Sequence, residues 1–194
     1  MNHKRLLLAL AAIIVSAVAA FGQPRAVGMR IGATGLDVSY LHSFAPKQFL
    51  EADLGLDFGY NVNGKAGFRA AAFYNFVWAT PAWTSRGDWA LYAGPGLALG
   101  YVNDIMPYDF GEDKIGICDN GFMVALSAQV GLEYSFWFPL QLAIDIRPYF
   151  GLHVNDGRII DPETKNVIYR DAKTGFYDNG LLGFAPTLSV RYTF

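Results

Sequence analysis

Ten charged residues each interrupt an otherwise apolar run: Arg30, Asp37, Glu51, Asp53, Asp57, Arg69, Glu133, Asp145, Arg147 and Arg191. Brought together, such groups have chemistry to do. A guanidinium is a planar fork that clamps carboxylates, and clustered carboxylates can pass protons or hold cations. Other reactive side chains are sparse. His42 adjoins Ser43, but consecutive residues of a strand face opposite sides, so the two do not form a nucleophile–base pair. His153 has Asp156 nearby, yet no Ser occurs between 136 and 188. Cys118 is the single cysteine. It has no partner for a disulfide, and acidic neighbours disfavour its thiolate. Gly94-Pro95-Gly96 lacks the Lys and the helix of a phosphate loop. Asp104, Asp109, Glu112, Asp113 and Asp119 offer oxygen ligands, but not at the spacing of a calcium-binding loop; they read as solvated surface. The sequence therefore assigns no catalytic residue, metal ligand or cofactor, and the chain is read as a non-enzyme.

The ten charges gain a common role from the elements that carry them. In 140–152, Leu140, Leu142, Ile144, Ile146, Pro148, Phe150 and Leu152 alternate with Gln141, Ala143, Asp145, Arg147, Tyr149 and Gly151. A helix would repeat its apolar positions every three or four residues; a period of two marks a strand. The same alternation runs through 27–32, 36–40, 50–60, 68–78, 89–101, 122–136 and 184–194. Eight strands are expected, most of them longer than the roughly 5–6 residues usual in globular sheets. One face of each is apolar. The other is charged, polar or glycine-rich and takes all ten charges.

Which face meets solvent follows from composition. The chain has 194 residues, 53% of them hydrophobic and 16% charged. Soluble domains carry about 25% charged residues. The mean hydropathy is +0.21, although past the N-terminus no apolar run reaches the roughly 18 residues of a membrane-spanning helix. Strands of about 9–11 residues cross a bilayer when tilted, with apolar residues outward and polar ones inward. Trp78, Trp89, Tyr101, Phe136, Tyr192 and Phe194 lie toward strand ends on the apolar faces, as interfacial girdles do. The expected fold is all-β: an eight-stranded antiparallel up-and-down transmembrane β-barrel.

At the N-terminus, Asn2-His3-Lys4-Arg5 precedes the apolar stretch Leu6–Ala20 and the small residues up to Gly22. This is the layout of a secretory signal peptide, so residues 1–22 are expected to be removed and 23–194 to form the barrel. Loss of Lys4 and Arg5 takes the net charge from -2 to -4, and no basic footprint for nucleic acid exists. The connections at 44–48, 79–87 and 136–139 are short or moderate. Those at the other end include the long 102–120 and 153–179. Short turns face the periplasm and long loops the exterior, which puts both termini in the periplasm.

The final strand places Leu188, Val190, Tyr192 and Phe194 on one face and ends on an aromatic residue. This resembles the signal read by the outer-membrane barrel insertion machinery. With Gly28-Met29-Arg30-Ile31-Gly32 and Asp145-Ile146-Arg147-Pro148, the chain resembles the small outer-membrane barrels of the porin-like, OmpA-transmembrane-domain superfamily, in its Bacteroidetes-type form. The resemblance implies a location in the bacterial outer membrane, with its lipids and lipopolysaccharide as surroundings. It also implies contact with the insertion machinery during biogenesis. It leaves the activity open. A structural or interaction role, with 102–120 and 153–179 meeting an external partner, stands beside a small porin or transporter of ions or hydrophobic solutes. A lipid A-modifying enzyme, the third reading, would need a His with Ser and carboxylate close by.

An eight-stranded barrel has room inside only for side chains. The four arginines are therefore expected to bridge the six carboxylates, with two carboxylates in surplus near the rims, protonated, or bound to water or a cation. Gly94, Gly96, Gly100 and Gly131 are expected to make room for Tyr92 and Phe73. Pro95, Pro148 and Pro186 fall inside expected strands, where a residue without a ladder donor implies a bulge or a strand end.

Overall fold

The computed structural model describes residues 25–59, 65–110, 113–155, 157–161, 164 and 166–194, with side chains described outside 25, 104–119 and 178–179. The expected signal peptide and Asp156 lie outside these residues. So do the side chains of the acidic cluster and of Cys118.

The structure has twelve strand segments: β1 (Arg25–Gly32), β2 (Gly35–Ala45), β3 (Gln48–Asp57), β4 (Gly67–Ala79), β5 (Asp88–Phe110), β6 (Asp113–Ser135), β7 (Gln141–Ile146), β8 (Tyr149–Asn155), β9 (Arg158–Ile160), β10 (Val167–Arg170), β11 (Lys173–Phe176) and β12 (Thr187–Thr193). They make eight staves. β7, β8 and β9 are successive pieces of the seventh stave, all lying along β6. β10, β11 and β12 pair in turn with β9, β8 and β7 and form the eighth. β12 then pairs with β1, with Val190 opposite Met29, and this closes the ring. The protein is a closed eight-stranded antiparallel β-barrel.

The alternation of residue types becomes an alternation of environments. Along β6, Phe122, Val124, Leu126, Ala128 and Val130 are exposed while Met123, Ala125, Ser127, Gln129 and Gly131 are buried. Glu51 is 0% exposed and Leu54, three residues on, is 67% exposed. The core is the lumen. Its end beside the termini is filled by Ala26, Leu41, Phe49 and Tyr92. Toward the other end lie Phe73, Met123, Tyr149 and Tyr177, among others. Gly96 and Gly131 stand where a Cβ would run into the Phe73 and Tyr92 rings respectively. They are the hollows that these two large inward side chains require.

Three expectations need correction. The segment 102–120 is not a loop: β5 and β6 each continue to 23 residues, and their ladder runs unbroken from Asp88↔Ser135 to Phe110↔Asp113. Above the barrel both faces of a hairpin can be polar, so the alternation that reveals a strand is absent. Pro107 and Gly116 sit opposite each other in that ladder. The segment 153–179 is likewise mostly strand, in β8 to β11, with 166–170 paired much as a hairpin extension would require. Third, the last strand starts at Thr187 and not at 184. Residues Asp178–Phe184 form a 3-10 turn, and Pro186 precedes the ladder. Pro148 falls in the break between β7 and β8. Pro95 stays within β5, and there the β4–β5 ladder is interrupted without a change of register: its partners stop at Phe73↔Gly96 and resume at Phe76↔Ala93, as a residue without a ladder donor requires.

Candidate functional site

Strand alternation aims the ten charged residues into the barrel from seven of the eight staves. Nine of the ten join one network of hydrogen bonds and ion pairs along the lumen. Arg147 lies at its centre. Its guanidinium donates to Glu51 Oε1 at 2.6 Å, to Asp145 Oδ1 at 2.8 Å and to Asp53 Oδ2. The Phe73 ring stacks against it at 4.5 Å, a cation–π contact that a buried guanidinium uses well. Toward the termini, Arg191 donates to the same Glu51 oxygen and to Ser39 at 3.2 Å. Gln129 donates to the other Glu51 oxygen at 3.1 Å and takes a bond from Asn75 at 2.9 Å. Toward the opposite end, Asp145 accepts from Thr187 at 2.7 Å and from Arg30 at 3.5 Å. Arg30 also reaches Asp37 at 2.7 Å. Asp37 accepts from Arg69 at 3.4 Å, and Arg69 stands 4.0 Å from Asp57. Asp57 finally accepts from the Tyr177 hydroxyl at 3.0 Å.

The network holds Arg30, Arg69, Arg147 and Arg191 against Asp37, Glu51, Asp53, Asp57 and Asp145, so four positive charges face five negative ones. Every member is at most 4% exposed. Ions taken out of water at this depth are tolerable only when paired and further hydrogen-bonded, and here nearly all of them are. Chemically, the arrangement is a set of fixed guanidinium–carboxylate clamps. Apolar clusters above and below fill the lumen.

Glu133 is the tenth charge, and it does not join this network. It lies near the terminus-side mouth of the barrel, where its Oε2 is buried without a hydrogen-bond partner. That mouth is a cavity of about 670 Å³. His42 points outward, with its ring 4.9 Å from Phe44 and its Nδ1 3.3 Å from the Tyr40 hydroxyl. His153 points inward against Tyr177. The two histidines lie on different faces and are not brought together. Leu188, Val190, Tyr192 and Phe194 share the outer surface, each between 44% and 55% exposed.

Sequence reasoning found the charges but not their uncharged partners. Ser39, Asn75, Tyr92, Gln129 and Thr187 share the inward phase of the charged residues, and that phase was the available signal. Tyr177 had none, since it belongs to a segment read as loop. The chain matches no protein-family model, no curated protein and no solved structure.

Proposed function

We propose that this chain is an integral outer-membrane barrel with a side-chain-filled interior, and that it acts through its exposed surfaces in a structural or interaction role. The observation that carries this is the outer surface. On β6, Phe122 and Tyr134 are separated only by Val124, Leu126, Ala128, Val130 and Leu132 on the outward phase. Twelve residues at roughly 3.3 Å each, tilted by about 35–45°, span about 28–32 Å of height. That is close to the roughly 30 Å of a hydrocarbon core. An aromatic chain marks each border. Trp83, Trp89, Tyr134 and Phe136 follow one another at 5.4, 4.6 and 4.6 Å. Phe68, Tyr101 and Phe122 do so at 6.3 and 5.4 Å. A monomer in water rarely shows a contiguous apolar patch beyond a few hundred Å².

On this reading the lipids and lipopolysaccharide of the outer membrane contact the girdle, and the termini are periplasmic. The insertion machinery reads Leu188, Val190, Tyr192 and Phe194. The paired extensions of β5, β6, β9 and β10 project outside, where they meet an extracellular partner. The filled lumen favours this reading over a porin or transporter. Two measurements test it. The native protein should fractionate with the outer membrane, resist carbonate extraction and migrate faster on gels when unheated. Recovery as a folded monomer in detergent-free buffer would overturn the reading. In a planar bilayer the purified protein should give no steady unitary conductance, and a reproducible channel would replace the interaction role with the porin one.

A further inference from the structure

The cavity at the terminus-side mouth holds features that neither closure of the barrel nor membrane residence explains. Its volume of about 670 Å³ falls within the roughly 300–1,000 Å³ of small-molecule pockets, which often occupy barrel mouths. The floor is apolar: Ala26, Leu41 and Phe49, with Val77 packed against them. Trp89 and Phe136 form part of the wall. Into this apolar bowl the chain places one acid, Glu133. Its strand register sets it between Ala90 on β5 and Ala143 on β7. Both lateral neighbours are therefore methyl groups that donate nothing, and Glu133 Oε2 is left buried without a hydrogen-bond partner. The interior arginine Arg191 is engaged by Glu51, Ser39, Ser189 and Gln141. Asp88 adds a second carboxylate at the rim, and no Lys or Arg is among the described residues lining the cavity. Arg86 lies at its margin, stacked on Trp137 at 5.7 Å.

A buried acceptor without a donor is costly, by about 1–3 kcal/mol and more when charged. An anion entering this mouth would meet two carboxylates. A neutral apolar molecule would fill the bowl but deepen the isolation of Glu133. A protonated amine on an apolar body would satisfy both the walls and the acid. We infer that the terminus-side mouth is a binding site for an organic ammonium carried on an apolar, ring-sized body, with Glu133 accepting its N–H and the Ala26–Leu41–Phe49–Val77 floor taking the body.

This goes beyond the proposed surface role, and its failure would leave the barrel and its location untouched. The test uses the full chain in phosphatidylcholine nanodiscs and equilibrium dialysis, with empty nanodiscs subtracted. Three probes share one indole body: tryptamine, 3-ethylindole and indole-3-propionate. Tryptamine should bind saturably at one site, 3-ethylindole at least several-fold more weakly, and indole-3-propionate not at all. Glu133→Gln should weaken tryptamine by about tenfold or more, the usual worth of a charged hydrogen bond, and leave 3-ethylindole unchanged. Leu41→Trp, which fills the floor, should remove both. Equal binding of the three probes by the unsubstituted chain would overturn the inference. So would unchanged tryptamine affinity in Glu133→Gln, or no saturable binding at all. The probe comparison stands even if a variant fails to fold.

Discussion

Replacing Arg147 by Met probes the interior network at its most connected point. Met is unbranched and of similar length, so the volume is roughly kept while all five donors are lost. Three carboxylates lose a partner, but unequally. Glu51 keeps Arg191, Gln129 and Ser39. Asp145 keeps Thr187, Arg30 and Tyr92. Asp53 loses its one ion pair among the described residues, and its Oδ1 already lacks a hydrogen-bond partner. The network falls from four arginines against five acids to three against five. Removing one member of a buried ion pair costs about 3–5 kcal/mol, because the other charge stays desolvated. Arg147→Met is expected to lie in that range, with most of the cost centred on Asp53. Adding Asp53→Asn should therefore return a large part of the lost stability, with a coupling in a double-mutant cycle of about 1–3 kcal/mol. Reversible urea unfolding in lipid vesicles, followed by the four tryptophans and by gel mobility, supplies the free energies. Arg147→Met within about 1 kcal/mol of the parent, or an additive double variant, would refute the account of the lumen as a set of charge clamps.

Other perturbations separate the surfaces. Leu126 is 68% exposed at mid-height of the outer face, so Leu126→Arg should cost about 2–4 kcal/mol in a bilayer; a negligible change in vesicle unfolding would argue against lipid contact there. At Gly131 a side chain would run into the Tyr92 ring, so Gly131→Val should destabilise by about 1–3 kcal/mol, as overpacking does, and Tyr92→Ala in the same chain should relieve it in the same unfolding assay. Phe194→Asp should slow assembly by isolated insertion machinery while leaving the unfolding free energy of the assembled barrel within about 1 kcal/mol of the parent, since the residue is exposed and lies past the β12 ladder; an unaltered assembly rate would remove Phe194 from the insertion signal.

How much could be read from the sequence depended on which solvent each residue meets. Where a strand has one face outward and the other in the lumen, residue type and position are tightly linked. Arg30, Glu51, Asp53 and Asp145 could therefore be placed inside from their phase alone. Above the barrel that link disappears. Beyond Tyr101, where its β4 partners end, β5 leaves the regular wall of the barrel, and the sequence no longer alternates. Only the ladder with β6 reveals the strand. Glu133 shows a different limit. Its phase is the same as that of Gln129 and Gly131, and alternation correctly turns it inward. Its separation from the arginines depends on height along the axis, which a period of two does not encode.

The prolines show how the barrel reconciles an irregular wall with a strict inside and outside. Against β6, the partner numbers sum to the same value in Val130↔Ile146 and Ser127↔Tyr149, so the break at Pro148 adds no residue to the seventh stave. Across the next seam, Thr187↔Asp145 and Phe176↔Leu152 differ in that sum by four, so the eighth stave carries four extra residues. They are absorbed in the turn Asp178–Phe184, which returns hydrogen bonds to the seventh stave from Arg147 N to Gly183 O and from Tyr177 N to Gly151 O. A slip of one residue would turn every following side chain to the other face; an insertion of four keeps the phase. Arg191 and Ser189 therefore still point inward below the turn, and Tyr177 points inward above it. Pro148 and Pro186 both border the stretch where this turn replaces the ladder, so neither is asked for a ladder bond it cannot donate. The same irregularity delivers the Tyr177 hydroxyl to Asp57, so the defect in the wall supplies the last link of the interior network.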